Sequence, residues 1–125
     1  MRILLDENIP AGLKGLLPGH EVRTTREMGW AGIGNGRLLD LAEGTGFAVM
    51  VTGDLNIRYQ NHLAGRGLAV VALTVTQWPT VRANPGPIRE AVDGARRGAY
   101  VVVTLPRPPL RRHPPPGREP ETSNR

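Results

Sequence analysis

The stretch Phe47-Ala48-Val49-Met50-Val51-Thr52-Gly53-Asp54 decides the fold. Its five consecutive apolar residues, β-branched at Val49 and Val51, read as a short strand buried on both faces. The run breaks at Thr52-Gly53-Asp54, and a helix is expected from Leu55 to Ala64. A carboxylate placed where a buried strand stops and a helix starts falls in the crevice at the carboxyl edge of an open α/β sheet, where such folds bind ligands. The N-terminal stretch repeats the pattern, with Ile3-Leu4-Leu5 running into Asp6-Glu7-Asn8 before another helix. Two strands thus deliver two acids, Asp6 and Asp54, to one edge.

Outward from this strand, strand and helix patterns alternate. Upstream, Pro10 suits a first helical turn with Asn8 as its cap, and Leu13, Leu16 and Leu17 keep helical spacing up to Pro18-Gly19. His20 to Thr24 is a polar strand nearer an edge. Gly29 to Gly36 holds four glycines in eight residues, which predicts a loop with positive φ angles or close backbone approach. Asn35 can cap the helix of Leu38, Leu39, Leu41 and Ala42. Downstream, Leu68 to Leu73 is an apolar strand, and Trp78-Pro79 opens a segment broken at Pro85 and Pro87. A helix follows over Ile88 to Arg97, and Tyr100 to Val103 gives the last strand. The alternation predicts an α/β fold with a mostly parallel sheet of about five strands.

At 125 residues the chain is one domain, large enough to bury roughly 60–70 % of its unfolded surface. The packed part is expected over residues 1–103. From 104 to 125 seven prolines accompany arginine with few apolar side chains, which predicts a disordered or polyproline-like tail. Such a tail fits a basic nucleic-acid arm, a docking peptide or an unselected extension. No apolar run approaches a membrane span and no signal segment opens the chain, so a soluble cytoplasmic protein without a membrane partner is expected. The net charge of +5 rests on fifteen arginines and Lys14, a balance that permits a nucleic-acid partner.

Several chemistries are excluded. Cysteine is absent, and the only serine, Ser123, is in the tail, which removes thiol and core serine nucleophiles. Lys14 sits in Gly12-Leu13-Lys14-Gly15, which is no phosphate-binding loop. His20, His62 and His113 lack ligand spacing, which argues against zinc. Oxygen chemistry remains, in Asp6, Glu7, Asn35, Asp40, Glu43, Asp54 and Asp93. Carboxylates and amide carbonyls suit magnesium or manganese, which activate water and stabilise phosphodiester displacement. Each of Asp6 and Asp54 alone could be a helix cap; together on buried strands they point to a site. Asp40 and Asp93 read as solvated, and Glu7 should leave on the face opposite Asp6.

Asp6-Glu7-Asn8, Gly19-His20-Glu21-Val22, Gly29-Trp30-Ala31-Gly32 before Asn35-Gly36-Arg37-Leu38-Leu39, and Val51-Thr52-Gly53-Asp54 resemble the PIN-like proteins. They look in particular like the small bacterial nucleases of the toxin–antitoxin type. The resemblance implies a three-layer α/β/α PIN-like sandwich over about residues 1–103. It also implies a ribonuclease that uses magnesium or manganese, held among about four acids. Asp6 matches the acid after the first strand and Asp54 the acid after the later threonine. The family's helix acid falls at Asn35, here an amide, and the acid of an early helix has no counterpart. Two carboxylates and one amide imply a single ion.

The first functional expectation is therefore a Mg- or Mn-dependent ribonuclease acting on RNA. It would be a toxin restrained by a helix-turn-helix antitoxin protein, able to form a homodimer. Asp6 and Asp54 would hold the ion, Asn35 would offer its carbonyl or place a water, and Arg58 would steer phosphate. The alternative is a non-catalytic PIN-like module binding RNA or a partner protein. A third reading, an aspartyl-phosphate receiver with Asp54 as acceptor, lacks a lysine after a later strand.

Overall fold

The computed structural model describes residues 1–107. Strands β1 (Arg2–Leu5), β2 (Glu21–Thr24), β3 (Val49–Thr52), β4 (Ala69–Leu73) and β5 (Tyr100–Val103) form one sheet in the order β2-β1-β3-β4-β5. Every neighbouring pair is parallel. The expected α/β class and five-stranded parallel sheet are both present. After β1 the chain moves out to β2, then returns to the far side of β1 for β3. The winding thus reverses between β1 and β3, where loops leave in opposite directions and open a crevice at the carboxyl ends.

Alternation along the strands divides the core in two. Ile3, Leu5, Val49, Val51, Val71 and Leu73 pack with Leu13 of a 3-10 helix (Ala11–Leu16), Val81 of α3 (Trp78–Ala83) and Ile88 and Val92 of α4 (Pro85–Asp93). On the other face Leu4, Met50 and Val70 pack with Leu38, Leu39 and Ala42 of α1 (Asn35–Gly44) and Ile57 of α2 (Ile57–Gln60). A central strand that meets a cluster on each face needs an unbroken apolar run, which is what Val49–Val51 supplies. Strand β2 lies at an edge as expected, with Glu21 and Arg23 exposed. Gly29 and Gly32 take φ values of 76° and 83°, as the glycine-rich loop required.

Four local expectations need correction. The helix over Leu55 to Ala64 shrinks to the single turn Ile57–Gln60: Asp54 Oδ1 accepts the Asn56 N–H (2.9 Å) and holds a turn at its start, and the backbone becomes extended at Asn61. The last helix starts earlier, at Pro85, and stops at Asp93; its prolines sit in the first turn, where a missing N–H costs nothing. The first helix is 3-10, with Pro10 at its cap position and no contribution from Asn8. Packing also extends beyond residue 103. Leu105 is 3 % exposed within the first cluster, and its N–H donates to Thr74 Oγ1 (2.9 Å). The tail expectation from residue 108 onward lies outside the described residues. No helix among them is long and apolar enough to cross a membrane.

Candidate functional site at the carboxyl edge of β1 and β3

Asp6 continues the β1/β3 seam by one residue, since its N–H donates to the Val51 carbonyl (2.9 Å). Beside it, Thr52 ends β3 and is fully buried. The Thr52 hydroxyl donates to Asp6 Oδ2 (2.7 Å) and accepts the Asp54 N–H (3.1 Å). A hydroxyl has one proton and two lone pairs, so both bonds fit one rotamer. One buried side chain therefore contacts the Asp6 carboxylate on one strand end and the backbone N–H of Asp54 on the next.

The remaining carboxylate oxygens are also engaged. Asp6 Oδ1 accepts the Glu7 N–H (2.8 Å), Asp54 Oδ1 accepts the Asn56 N–H, and Asp54 Oδ2 accepts from Asn35 Nδ2 (2.6 Å). Asn35 is the first residue of α1, with Gly34 at the cap position and no side-chain cap bond. The expected capping role is thus replaced by a contact with Asp54. The amide must face Asp54 through its NH₂, because the flipped orientation would set two acceptors against each other. Its carbonyl, offered as a ligand in the sequence reading, points away from that carboxylate. Asn8 joins the edge too, accepting the Gly53 N–H (3.0 Å). Position 53 has no room for a side chain, since a Cβ there would stand 2.5 Å from Thr76 Cγ2.

All of these donors are neutral. No ion pair within 4.0 Å involves Asp6 or Asp54 among the described residues. Nor do those residues gather three or more His, Cys, Asp or Glu side chains as a metal site. The donor set still suits one hard cation: each carboxylate keeps lone pairs beyond its hydrogen bonds, and magnesium is commonly held by one or two carboxylates with water and substrate phosphate completing its shell.

The other candidates have partners of their own. The Arg58 guanidinium lies 5.4 Å from the Tyr100 ring centre, while the Tyr100 hydroxyl donates to the Leu55 carbonyl (3.1 Å). Asp40 is exposed, as expected of a solvated acid, and with Glu43 meets Arg66 Nη1 (2.8 and 3.3 Å). Asp93 is likewise exposed, as expected, and pairs at the surface with His20 Nε2 (2.9 Å). Glu7 reaches the glycine-rich loop, its Oε2 accepting the Gly32 N–H (3.0 Å). Lys14, the only lysine, is held by Glu27 (2.7 Å).

Sequence reading missed Thr52, although a threonine between a buried strand and Gly-Asp is a readable signal for a hydroxyl at the edge. It also missed the turn after β2. There Thr24 donates its N–H to Glu27 Oε1 (2.9 Å), and its own hydroxyl accepts the Glu27 N–H (3.1 Å). The Lys14 hydrogen bond, followed by that Thr24 N–H, holds the Glu27 carboxyl below its ordinary range. This knot braces the segment carrying Thr25 and Arg26, which wall a groove of about 350 Å³ beside Asp6. Compared with known proteins, the chain matches no family model, and neither a curated protein nor a solved structure matches it.

Proposed function

We propose that the chain is a soluble, cytoplasmic ribonuclease dependent on magnesium or manganese. The observation that carries this reading is the Asp6–Thr52–Asp54 bridge at the point where the winding of the sheet reverses. Asp6 and Asp54 would hold one ion, and a bound ion of this kind supplies an activated water and stabilises charge on a phosphodiester. The chain's own contribution is positional. Thr52 fixes Asp6, Asn35 fixes Asp54, and Arg58 is the candidate cation for a nearby phosphate. The PIN-like resemblance adds the toxin role, with a helix-turn-helix protein as restraint.

The test is cleavage of single-stranded RNA by the purified chain with magnesium, with manganese, and with excess chelator. Cleavage that needs the ion and disappears in Asp6→Asn and Asp54→Asn supports the reading; cleavage unaffected by chelator refutes it. A non-catalytic module that binds RNA or a partner is the second reading. It is favoured by the neutral donors that already engage every oxygen of the two carboxylates. Calorimetry that finds no uptake of magnesium or manganese at millimolar concentration would select it.

A further inference from the structure

Asp6 has a second side. Towards β2 it borders the groove of about 350 Å³, whose wall includes Glu7, Ile9, Thr24, Thr25, Arg26 and Ala31, the Glu7 carboxylate being engaged by the Gly32 N–H. Thr25 is held at this wall by its backbone, donating to the Leu5 carbonyl (3.1 Å) and accepting the Trp30 N–H (2.8 Å). Its side chain is 1 % exposed, yet among the described residues its hydroxyl makes no hydrogen bond. A buried hydroxyl without a partner is costly, and native structures give such groups a ligand or a water. Arg26 follows it, exposed and in no ion pair among the described residues. Ile9 and Ala31 give the same groove an apolar surface.

The groove therefore offers a hydroxyl that can both donate and accept a hydrogen bond, a cation one residue away, and an apolar patch. The Asp6 carboxylate stands at one end. A sugar hydroxyl, a phosphate and a ring face match these in turn. The geometry points to this groove as the seat of one ribonucleotide unit, with Thr25 pairing with the ribose 2′-hydroxyl and Arg26 with the adjoining phosphate. A 2′-hydroxyl is both donor and acceptor, and it is the group that distinguishes RNA from DNA at a given site. The ligand's identity rests on the ribonuclease reading. The groove itself is observed independently of that reading.

The experiment titrates the full chain, in magnesium, with the 3′,5′-bisphosphates of adenosine and uridine and with their 2′-deoxy counterparts. None of these has an internucleotide bond to cleave. The ribose forms should bind about five- to tenfold more tightly than the deoxy forms, the range of one net hydrogen bond. Thr25→Val should bring the ratio to within about twofold and Thr25→Ser should keep it. Arg26→Gln should weaken both forms about tenfold and leave the ratio alone. Equal affinities in the unaltered chain, or a ratio indifferent to Thr25→Val, would overturn the assignment. If Thr25→Val does not fold, the unaltered ratio and Arg26→Gln decide it. RNA cleavage is measured in parallel. A ratio with no cleavage sinks the nuclease reading and leaves the groove, whereas cleavage with no ratio sinks the groove alone.

Discussion

Two pairs of acids in this molecule have opposite fates. Asp40 and Glu43, on α1, share the guanidinium of Arg66, and Glu43 also accepts the Gly67 N–H (2.8 Å). Arg66 in turn donates through Nε to the His62 carbonyl (2.7 Å). This pair is finished, a clamp that ties the segment before β4 to a helix. Asp6 and Asp54 are held just as firmly in place, but only by amides and a hydroxyl. Their position is determined while their charge is not answered. Carboxylates gathered at one edge repel each other unless a cation joins them. Position without compensation is what a cation site needs before the cation arrives.

The comparison can be broken by experiment. The largest effect should come from Asp6→Asn or Asp54→Asn, which should lower ion-dependent RNA cleavage on the order of 100-fold or more. In chelator the melting temperature of these variants should change little, because the loss of a negative charge is offset by an amide NH₂ set against a donor that now bonds the carboxylate. A clear fall would place this pair in the same class as the other. Next in size, Arg66→Met should cost about 1–2 kcal/mol in urea unfolding, because it leaves two carboxylates without their partner. Cleavage should be unaffected.

A smaller and two-sided effect is expected at Asn35. Asn35→Asp replaces the NH₂ that faces Asp54 Oδ2 with a second acceptor. In chelator it should cost about 1 kcal/mol; in millimolar magnesium that loss should be recovered as ion affinity rises. Melting curves with and without magnesium decide this, and a change of equal size in both conditions would detach Asn35 from the ion. The smallest effect concerns Glu27, an exposed acid that already has its cation. Its carboxyl lies below the ordinary value of 4.5 in the folded chain, chiefly through Lys14. The stabilisation is therefore present above that value and is lost as pH falls through the folded one. Glu27→Gln should lower the melting temperature slightly at neutral pH and converge with the unaltered chain at acid pH, which flattens the acid side of the profile.

Legibility in the sequence followed the range of the interactions. The runs ending at Asp6 and Asp54 were readable because a parallel strand buried on both faces must be apolar throughout, and its end must then stand out. Strand β5 was readable at both boundaries for the same reason. What could not be read depends on partners far along the chain. The hydroxyl of Thr52 meets an acid 46 residues away, and Arg66 meets Asp40 and Glu43 across 26 and 23 residues. Asn8 reads locally as a helix cap yet serves a neighbouring strand end, whereas Asn35, readable both as a cap and as a site residue, meets Asp54 through its NH₂ and not through its carbonyl. Leu105 was assigned to the tail because prolines surround it, although one buried side chain is enough to extend the packing.

Gly53 carries a consequence for how this edge can evolve. The space where its side chain would begin is occupied by Thr76 Cγ2 at 2.5 Å, with Asn8 atoms at 3.3 Å. The loops after β1, β3 and β4 thus meet at a single missing methyl group. Any residue but glycine at 53 would force the Thr76 side chain to move and Asn8 to give by a few tenths of an ångström. Substitutions that reshape specificity should therefore accumulate on the far wall, around residues 24–31, while position 53 keeps its glycine.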